Sequence, residues 1–474
     1  MDPQNVQRTL NERITVLEER WGKYSNPLKE SFKRRGKTLD PASWAATLQG
    51  MENIHEKFAT MSEATLSANI GSFVQHGYDL ITAVYPNLIA NQIASIQPLQ
   101  YKVGEIWFME LQYEAAKGLT GANTVALSGV SGARPEKYYS SEYIDGVSVQ
   151  TPNSVLTDFS GTTGVAIKTG AQLDFIYITD GVETFRPDPT NYAVLIGDAG
   201  GTGTLNLSTG AWAVSFAAAV TTGNVVKAIG RVNTEANPSS IGKTKINFTS
   251  SSIEAKKHQL VSTYSMDAEY ELKKQFNRDM NDELVKANGS LIKAEIDSLV
   301  IDDMKIAAKS AEGAGFSTWD GAFSGVSELD HFRTFLTVLQ KQSQDINDKT
   351  RMVRGNFVVA GSNLCTVLTV LPEFKSAVTP SSESAGPHVL GTVNGLLIIK
   401  HPDFDANEWI MGNKGASAFH TGYVFAPYMP LMVTPPVSSP DSVFDVTRGL
   451  FTQAGRKVVN PRYYAHGVAT NLFA

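Results

Sequence analysis

The chain has 474 residues, 42% of them hydrophobic and 19% charged, so it carries enough apolar material for more than one core and wholesale disorder is excluded. A net charge of −6 excludes nucleic-acid binding by bulk positive charge, though not a local basic patch. The single cysteine, Cys365, excludes an intrachain disulfide and a cysteine-based zinc site, and no apolar run reaches the ~18 residues of a membrane span.

Residues 1–63 hold ten Lys/Arg and nine Asp/Glu, well above the chain average. Val6, Leu10, Ile14, Leu17 and Trp21 fall on one helical stripe, and a second helix is expected over about Pro41–Thr60. This segment reads either as a solvated helical arm or as an arm that binds a partner or is removed. Its start has no apolar signal region, which fits synthesis in a reducing cytoplasm. From 64 to 114 the chain becomes apolar, and the alternation of Ile106, Phe108 and Glu110 predicts a strand.

Residues 115–250 are rich in Gly, Thr, Ser and Val. Short runs such as "LDFIYITDG", "NYAVLIGD", "GTLNLSTG", "WAVSFAAAV" and "NVVKAIGRV" alternate with turn residues. They predict an all-β sandwich or barrel-like module inserted into a longer hairpin.

Residues 251–350 contain the strongest helical signal, a single helix of some 40 residues beginning at Ser265 as cap, with Asp267 and Glu269 in its first turn. Leu272, Phe276, Met280, Leu284, Leu291 and Leu299 form its expected apolar stripe, and Gly289 is the expected weak point. Residues 351–474 read as an α+β domain: "RGNFVVAG" a buried strand, "SNLCTVLTVL" a helix capped by Ser362 or Asn363, then strands to the end. The prolines of "FHTGYVFAPYMPLMVTPPV", Pro427, Pro430, Pro435 and Pro436, suit edge strands and turns.

Catalytic chemistry has little to stand on. The histidines are scattered, with no HxH or HExxH pattern. The carboxylates of "AEIDS" and "IDDM" read as a solvated helix face. "NPSSIGKT" lacks the first glycine and the following helix of a phosphate loop, and "GDAGGTG" leads into another strand. Cys365 sits in an apolar helix and reads as packing. Neither a cofactor, a metal site nor an enzyme is expected. A charged arm, a long hairpin with a β insertion and a long helix are the parts of a protein whose work is contact with its own copies.

Four stretches in order carry a resemblance: "YPNLIANQIASIQPLQYKVGEIWFMELQYE", "HQLVSTYSMDAEYEL", "RGNFVVAGSNLCTVL" and "MGNKGASAFHTGYVFAPYMPL". They resemble the major capsid proteins of tailed phages, of the T-even myovirus type. The positions that carry the likeness are Pro86, Asn87, Gly355, Asn356, Phe357, Gly412, Lys414, Gly415, Gly422, Ala426, Pro427 and Tyr428.

The resemblance implies an α+β fold of the Hong Kong 97 capsid type. Its parts would be an arm (1–63), the outgoing strand of an extended loop (64–114), a β-rich insertion (115–250), a returning strand, spine helix and peripheral domain (251–350), and an axial domain (351–474). It implies hexamers and pentamers of the chain in an icosahedral shell around double-stranded DNA. Scaffold, portal and decoration proteins are further partners, and no membrane is involved. Family members are often cut after a glutamate in an apolar-x-Glu context. Glu63 in Met61-Ser62-Glu63 is the leading candidate here, with Glu12 and Glu30 behind it. Lys33, Arg34 and Arg35 are either an inner-face basic patch or a solvated one. The insertion does not match the family's own. Two rival readings are an encapsulin-like cellular compartment shell and a carbohydrate-binding surface protein resting on the insertion.

Overall fold

The computed structural model describes residues 15–21, 41–61, 88–127, 138, 140–169, 176–235, 237–322, 325, 327–377, 386–415, 421–434, 437–438 and 444–473. The chain forms two compact units, one of Met1–Phe108 with Phe248–Ala474, the other of Met109–Asn247.

In chain order the elements begin with a helical segment over 15–21 (α1), Pro41–Met61 (α2), Ala90–Ile93 (α3), Ser95–Ile96 (β1) and Val103–Tyr113 (β2). There follow Val125–Leu127 (β3), Tyr143–Val147 (β4), Asp158–Thr162 (β5), Ile176–Thr179 (β6), Thr184–Pro187 (β7) and Val194–Gly197 (β8). Next are Thr202–Leu205 (β9), Ala211–Ser215 (β10), Lys227–Arg231 (β11), Thr244–Glu254 (β12) and Lys256–Ser265 (β13). The helices Met266–Phe276 (α4) and Met280–Lys309 (α5) lead to Phe316–Asp320 (β14), Glu328–Thr350 (α6), Phe357–Ala360 (β15) and Ser362–Val370 (α7). The chain closes with Phe374–Ser376 (β16), His388–Val393 (β17), Leu396–Lys400 (β18), Glu408–Gly412 (β19), Tyr423–Val433 (β20), Val437–Ser438 (β21), Asp445–Val458 (β22) and Tyr464–Thr470 (β23).

Two sheets organise the first unit. One runs β14-β23-β19-β15-β18-β17-β16 and the other β1-β20-β22-β13, with β21 on β22. Strand alternation splits the seven-stranded sheet between two cores. Phe357, Val359, Ile399, Ile410 and Tyr464 join Ile292, Ile296, Val300, Ile301 and Met304 of α5 on one side. Val358, Ile398, Trp409 and Met411 join Phe335, Leu339 and Ile346 of α6 and the apolar face of α7 on the other. Two glycines permit this packing: a Cβ on Gly467 would sit 2.1 Å from the Trp409 ring, and one on Gly412 2.4 Å from Phe357 Cζ.

The long helix departs from expectation in two ways. Ser265 does cap it, accepting from Ala268 N at 3.3 Å with Asp267 and Glu269 in the first turn. The break, however, falls at Asn277, left-handed at φ 51°, and not at Gly289. Asparagine is a poor helix former that tolerates this conformation, whereas Gly289 is held within a continuing helix. The remaining 30-residue helix is about 45 Å long. The apolar stripe is also different. Phe276 and Leu291 are 66% and 57% exposed, and the buried face is Ile292, Ile296, Asp297, Val300, Ile301 and Met304. A further cap is corrected: the N-cap of α7 is Gly361, with no side-chain cap, and Ser362 and Asn363 lie within the helix, the Asn363 amide donating to Asn407 Oδ1 at 2.9 Å.

In the second unit the order β4-β11-β6-β7-β8-β9-β10-β5 is antiparallel throughout. Its end strands meet through the Ser148–Gly161 bridge, and Val149 N donates to Ser160 O at 2.8 Å, closing the sheet on itself. Phe159, Ile176, Ile178, Phe185, Leu195, Trp212, Val214 and Phe216 fill the interior. The glycine-rich "GDAGGTG" is the β8–β9 hairpin turn, with Gly200 at φ 103°. "NPSSIGKT" is a short 3-10 turn running into β12. β2 lies between β12 and β3 in a three-stranded sheet.

Candidate functional site

Lys33, Arg34, Arg35, Glu63, Pro86 and Asn87 lie outside the described residues. The remaining likeness-bearing positions fall in the first unit, and several come together. Asn356, just before β15, donates its amide to Lys414 O at 3.1 Å and accepts from Lys414 N at 2.9 Å. Its backbone N–H donates to Gly412 O at 2.8 Å. Lys414 then reaches Asn91 O of α3 with its ammonium at 2.6 Å. Asn413 donates from its side chain to Arg354 O. The Gly-Asn-Lys-Gly turn is therefore a knot joining the start of β15, the end of β19 and α3. Gly355, Gly412 and Gly415 are buried around it, and a Cβ at Gly355 would meet Met411 Sδ at 2.6 Å.

Gly422 opens β20 against Tyr463 and Tyr464, and its carbonyl accepts from Val459 N and Asn460 N at 2.8 and 3.0 Å. β20 is not an edge strand. β1 flanks it at Val424–Phe425 and β22 runs along its other side. Pro427 and Pro430 are accommodated because the register shifts between Pro427 and Met429 and again between Met429 and Met432, where no ladder donor is required. Pro435 and Pro436 lie outside the described residues.

The face of β20 carries the arm. Leu17, Trp21, Trp44, Leu48 and Met51 pack on Met429 and Met432, with Tyr428 and Phe451 alongside. Gly50 lets α2 approach until its Cβ position is 3.1 Å from Pro430 Cδ. Two indoles and two carboxylates fasten the helices: Trp21 Nε1 donates to Glu52 at 2.8 Å, Trp44 Nε1 to Glu18 at 2.6 Å, and Arg20 pairs with Glu52 at 2.5 Å. Asn53 donates to Leu99 O at 3.0 Å and Tyr428 O at 2.7 Å. The described part of the arm is thus a packed element and not a solvated one. No spacing in the sequence links two tryptophans to glutamates on separate helices.

Of the α5 carboxylates, Glu295 and Asp302 are exposed, as a solvated face requires, whereas Asp297 and Asp303 are structural. Asp297 is buried and accepts from Ala90 N at 3.1 Å; burial pushes its carboxyl up to about 6. Asp303 accepts from the Tyr423 hydroxyl at 2.8 Å and pairs with Arg456 at 3.3 Å. Lys305 pairs with Glu408 and, at 3.0 Å, with Asp405; burial pulls its ammonium down, but these hydrogen bonds outweigh it and raise the pKa. Cys365 is buried with its thiol pushed up to about 12 by desolvation, so it stays protonated and unreactive. Among the described residues these groups brace elements against one another. No helix there is long and apolar enough to cross a membrane.

The described residues thus form an α+β chain whose long α5 helix packs against two sheets and whose polar groups are spent on bracing. The match to the family model described as "Major capsid protein Gp23" covers residues 70–471, and the chain belongs to that family. It is 23% identical over 437 residues to the major capsid protein of Vibrio phage KVP40, covering 83% of this chain and 76% of that one. It is 25% identical over 225 residues to that of Enterobacteria phage T4, covering 43% of this chain and 42% of that one. The chain thus spans less than half the length of the T4 relative it matches. Among solved structures it is similar to the capsid of Myoviridae phage XM1, with TM-score 0.34 and 12% identity over 71% of this chain and 97% of that one.

Proposed function

We propose that the chain is the major capsid protein of a tailed phage, a virion component that assembles with its own copies into an icosahedral shell around double-stranded DNA. The observation that carries this reading is the family match over residues 70–471. The braced first unit supports it, because a subunit loaded from several neighbours needs elements tied by polar as well as apolar contacts. Many ordinary contacts then hold the shell, since removing one subunit breaks several at once.

On this reading 64–114 and 251–350 supply the extended loop and the peripheral domain with the spine helix. Residues 351–474 form the axial domain near the capsomer axis, and 115–250 form an insertion in the loop. Scaffold, portal and decoration proteins would be partners during assembly, which takes place in the host cytoplasm. Lys33, Arg34 and Arg35 would face scaffold or DNA without sequence selectivity. Glu63 is the proposed maturation cut, two residues after α2 ends at Met61. Mass spectrometry of chains from purified particles tests the cut: loss of residues 1–63 is expected, and an intact arm in DNA-filled particles overturns it.

The function itself is tested by expressing the chain, with scaffold if required, and imaging the product by electron microscopy. Closed shells or hexameric sheets are expected. A stable, monodisperse monomer under shell-forming conditions overturns the reading.

A further inference from the structure

The segment between β1 and β2 joins the arm to the root of β2. β1 lies parallel on β20, and its pairing runs on past its end: Gln97 N donates to Phe425 O at 3.1 Å and Leu99 N to Pro427 O at 2.9 Å. Two residues of this segment also grip β2. The Gln97 side chain donates to Trp107 O at 3.2 Å and accepts from Trp107 N at 3.3 Å. Leu99 is buried, and a Cβ on Gly104 would come within 2.7 Å of its Cδ2, so Gly104 is the notch that receives it. From the other side α2 holds the same residue. The Asn53 amide donates to Leu99 O at 3.0 Å and to Tyr428 O at 2.7 Å, spanning the segment and β20. The partner strand β12 is held without the arm. Lys457 Nζ of β22 donates to Ser251 Oγ at 2.6 Å and to Ser252 O at 2.9 Å, and a Cβ on Gly455 would come within 2.9 Å of Ile253.

We propose that residues 97–99 couple the arm to β2: docking of α2 on β20 fixes the grip on Val103–Phe108, and undocking loosens it. Leu99 is the shared part, with its carbonyl bound by the arm and its side chain seated on β2. The arm is an element with two states, because its contact with β20 is one small core of Leu17, Trp21, Trp44, Leu48 and Met51 on Met429 and Met432. The β1–β20 bonds remain in both states. Coupling between two sites is reciprocal, so loosening the grip on β2 weakens arm docking in turn. If the chain forms shells as proposed above, removal of the arm is also the step that frees the base of the extended loop. That consequence rests on the shell reading, whereas the coupling is a property of the single chain.

Hydrogen exchange on the full-length, unassembled chain tests it, read over residues 41–61 and 103–108 with the α6 amides as reference. Trp21→Phe with Trp44→Phe keeps two aromatic rings and removes the indole donors to Glu52 and Glu18, bonds that join arm residues only. Exchange is expected to rise at least tenfold over 41–61 and at least threefold over 103–108, with α6 unchanged. Gln97→Ala is expected to raise exchange over 41–61 at least threefold. A Gly50→Cys, Pro430→Cys pair supplies a lock, since the Gly50 Cβ position lies 3.7 Å from Pro430 Cβ, within the roughly 3.5–4.5 Å of a disulfide. Native Cys365 is buried and does not compete. Oxidising the lock in the double tryptophan variant is expected to return 103–108 to within twofold of wild type, and reduction to undo this. If that variant loses α6 protection, Trp21→Phe alone carries the test. Faster exchange over 41–61 with 103–108 unchanged, or a loosened 103–108 that the oxidised lock fails to restore, overturns the proposal. Shells formed by a chain that fails these tests leave the shell reading standing, and a chain that passes them but forms no particles overturns that reading alone.

Discussion

Asn53 is the polar pin between α2 and the sheet beneath it. It is buried, donates to Leu99 O at 3.0 Å and Tyr428 O at 2.7 Å, and accepts from Gln49 Nε2 at 2.8 Å. Asn53→Ala leaves two carbonyls and one amide without this partner in a buried site. Each net hydrogen bond contributes about 1 kcal/mol and an orphaned buried group costs about 1–3, so a loss of about 3 kcal/mol is expected. The loss falls on arm docking, because the three partners sit at the junction of α2 with the segment after β1 and with β20. Hydrogen exchange read over residues 41–61 and 423–433 measures it. Exchange in α2 should accelerate by roughly two orders of magnitude, while the α6 amides keep their protection. Asn53→Asp should be worse, since a carboxylate would face two carbonyl oxygens. Unchanged α2 protection in Asn53→Ala would refute the argument that polar pinning, and not the Leu48–Met51–Trp44 contacts alone, holds the arm.

Asp297 titrates near pH 6 folded against an ordinary 3.8, so the native state holds its proton more tightly than the unfolded chain. Stability should therefore fall by about 3 kcal/mol as pH rises from 4 to above 6, and Asp297→Asn should flatten that window in thermal melts taken across it. Gly412→Ala should destabilise by about 3 kcal/mol or abolish assembly, because its Cβ would sit 2.4 Å from Phe357 Cζ and 2.8 Å from Tyr464 Cδ1; chemical denaturation checks this. Cys365, with its thiol pushed up to about 12, should resist maleimide in native particles and react once per chain in denaturant.

Much of the fold was legible where a period or a turn residue acts locally. The alternation of Ile106, Phe108 and Glu110 marked β2, short runs between turn residues marked β8 and β10, and Ser265 marked a helix start. What was not legible depends on partners far along the chain. A stripe through Phe276 and Leu291 is as apolar as the one through Ile292 and Val300, and only the sheets beneath α5 decide which is buried. Asp297 looks like its charged neighbours until the backbone N–H of Ala90 is placed beside it. The role of the Gly-Asn-Lys-Gly turn lies in its pairing with Asn356, some 58 residues earlier, which no local rule reports. The charge-rich arm reads equally as a solvated helical arm or as one that binds a partner or is removed, and its tryptophans are few. They are nonetheless the residues that dock it.

The central claim is that the working form of this chain is a closed assembly of its own copies. Cryo-electron microscopy of purified particles tests it most directly. The account predicts icosahedral shells whose repeating hexameric units are built from this chain, with the α5 helix and the two sheets of the first unit recognisable in each copy. Shells built of another protein, with this chain absent or present at only a few copies, would contradict it.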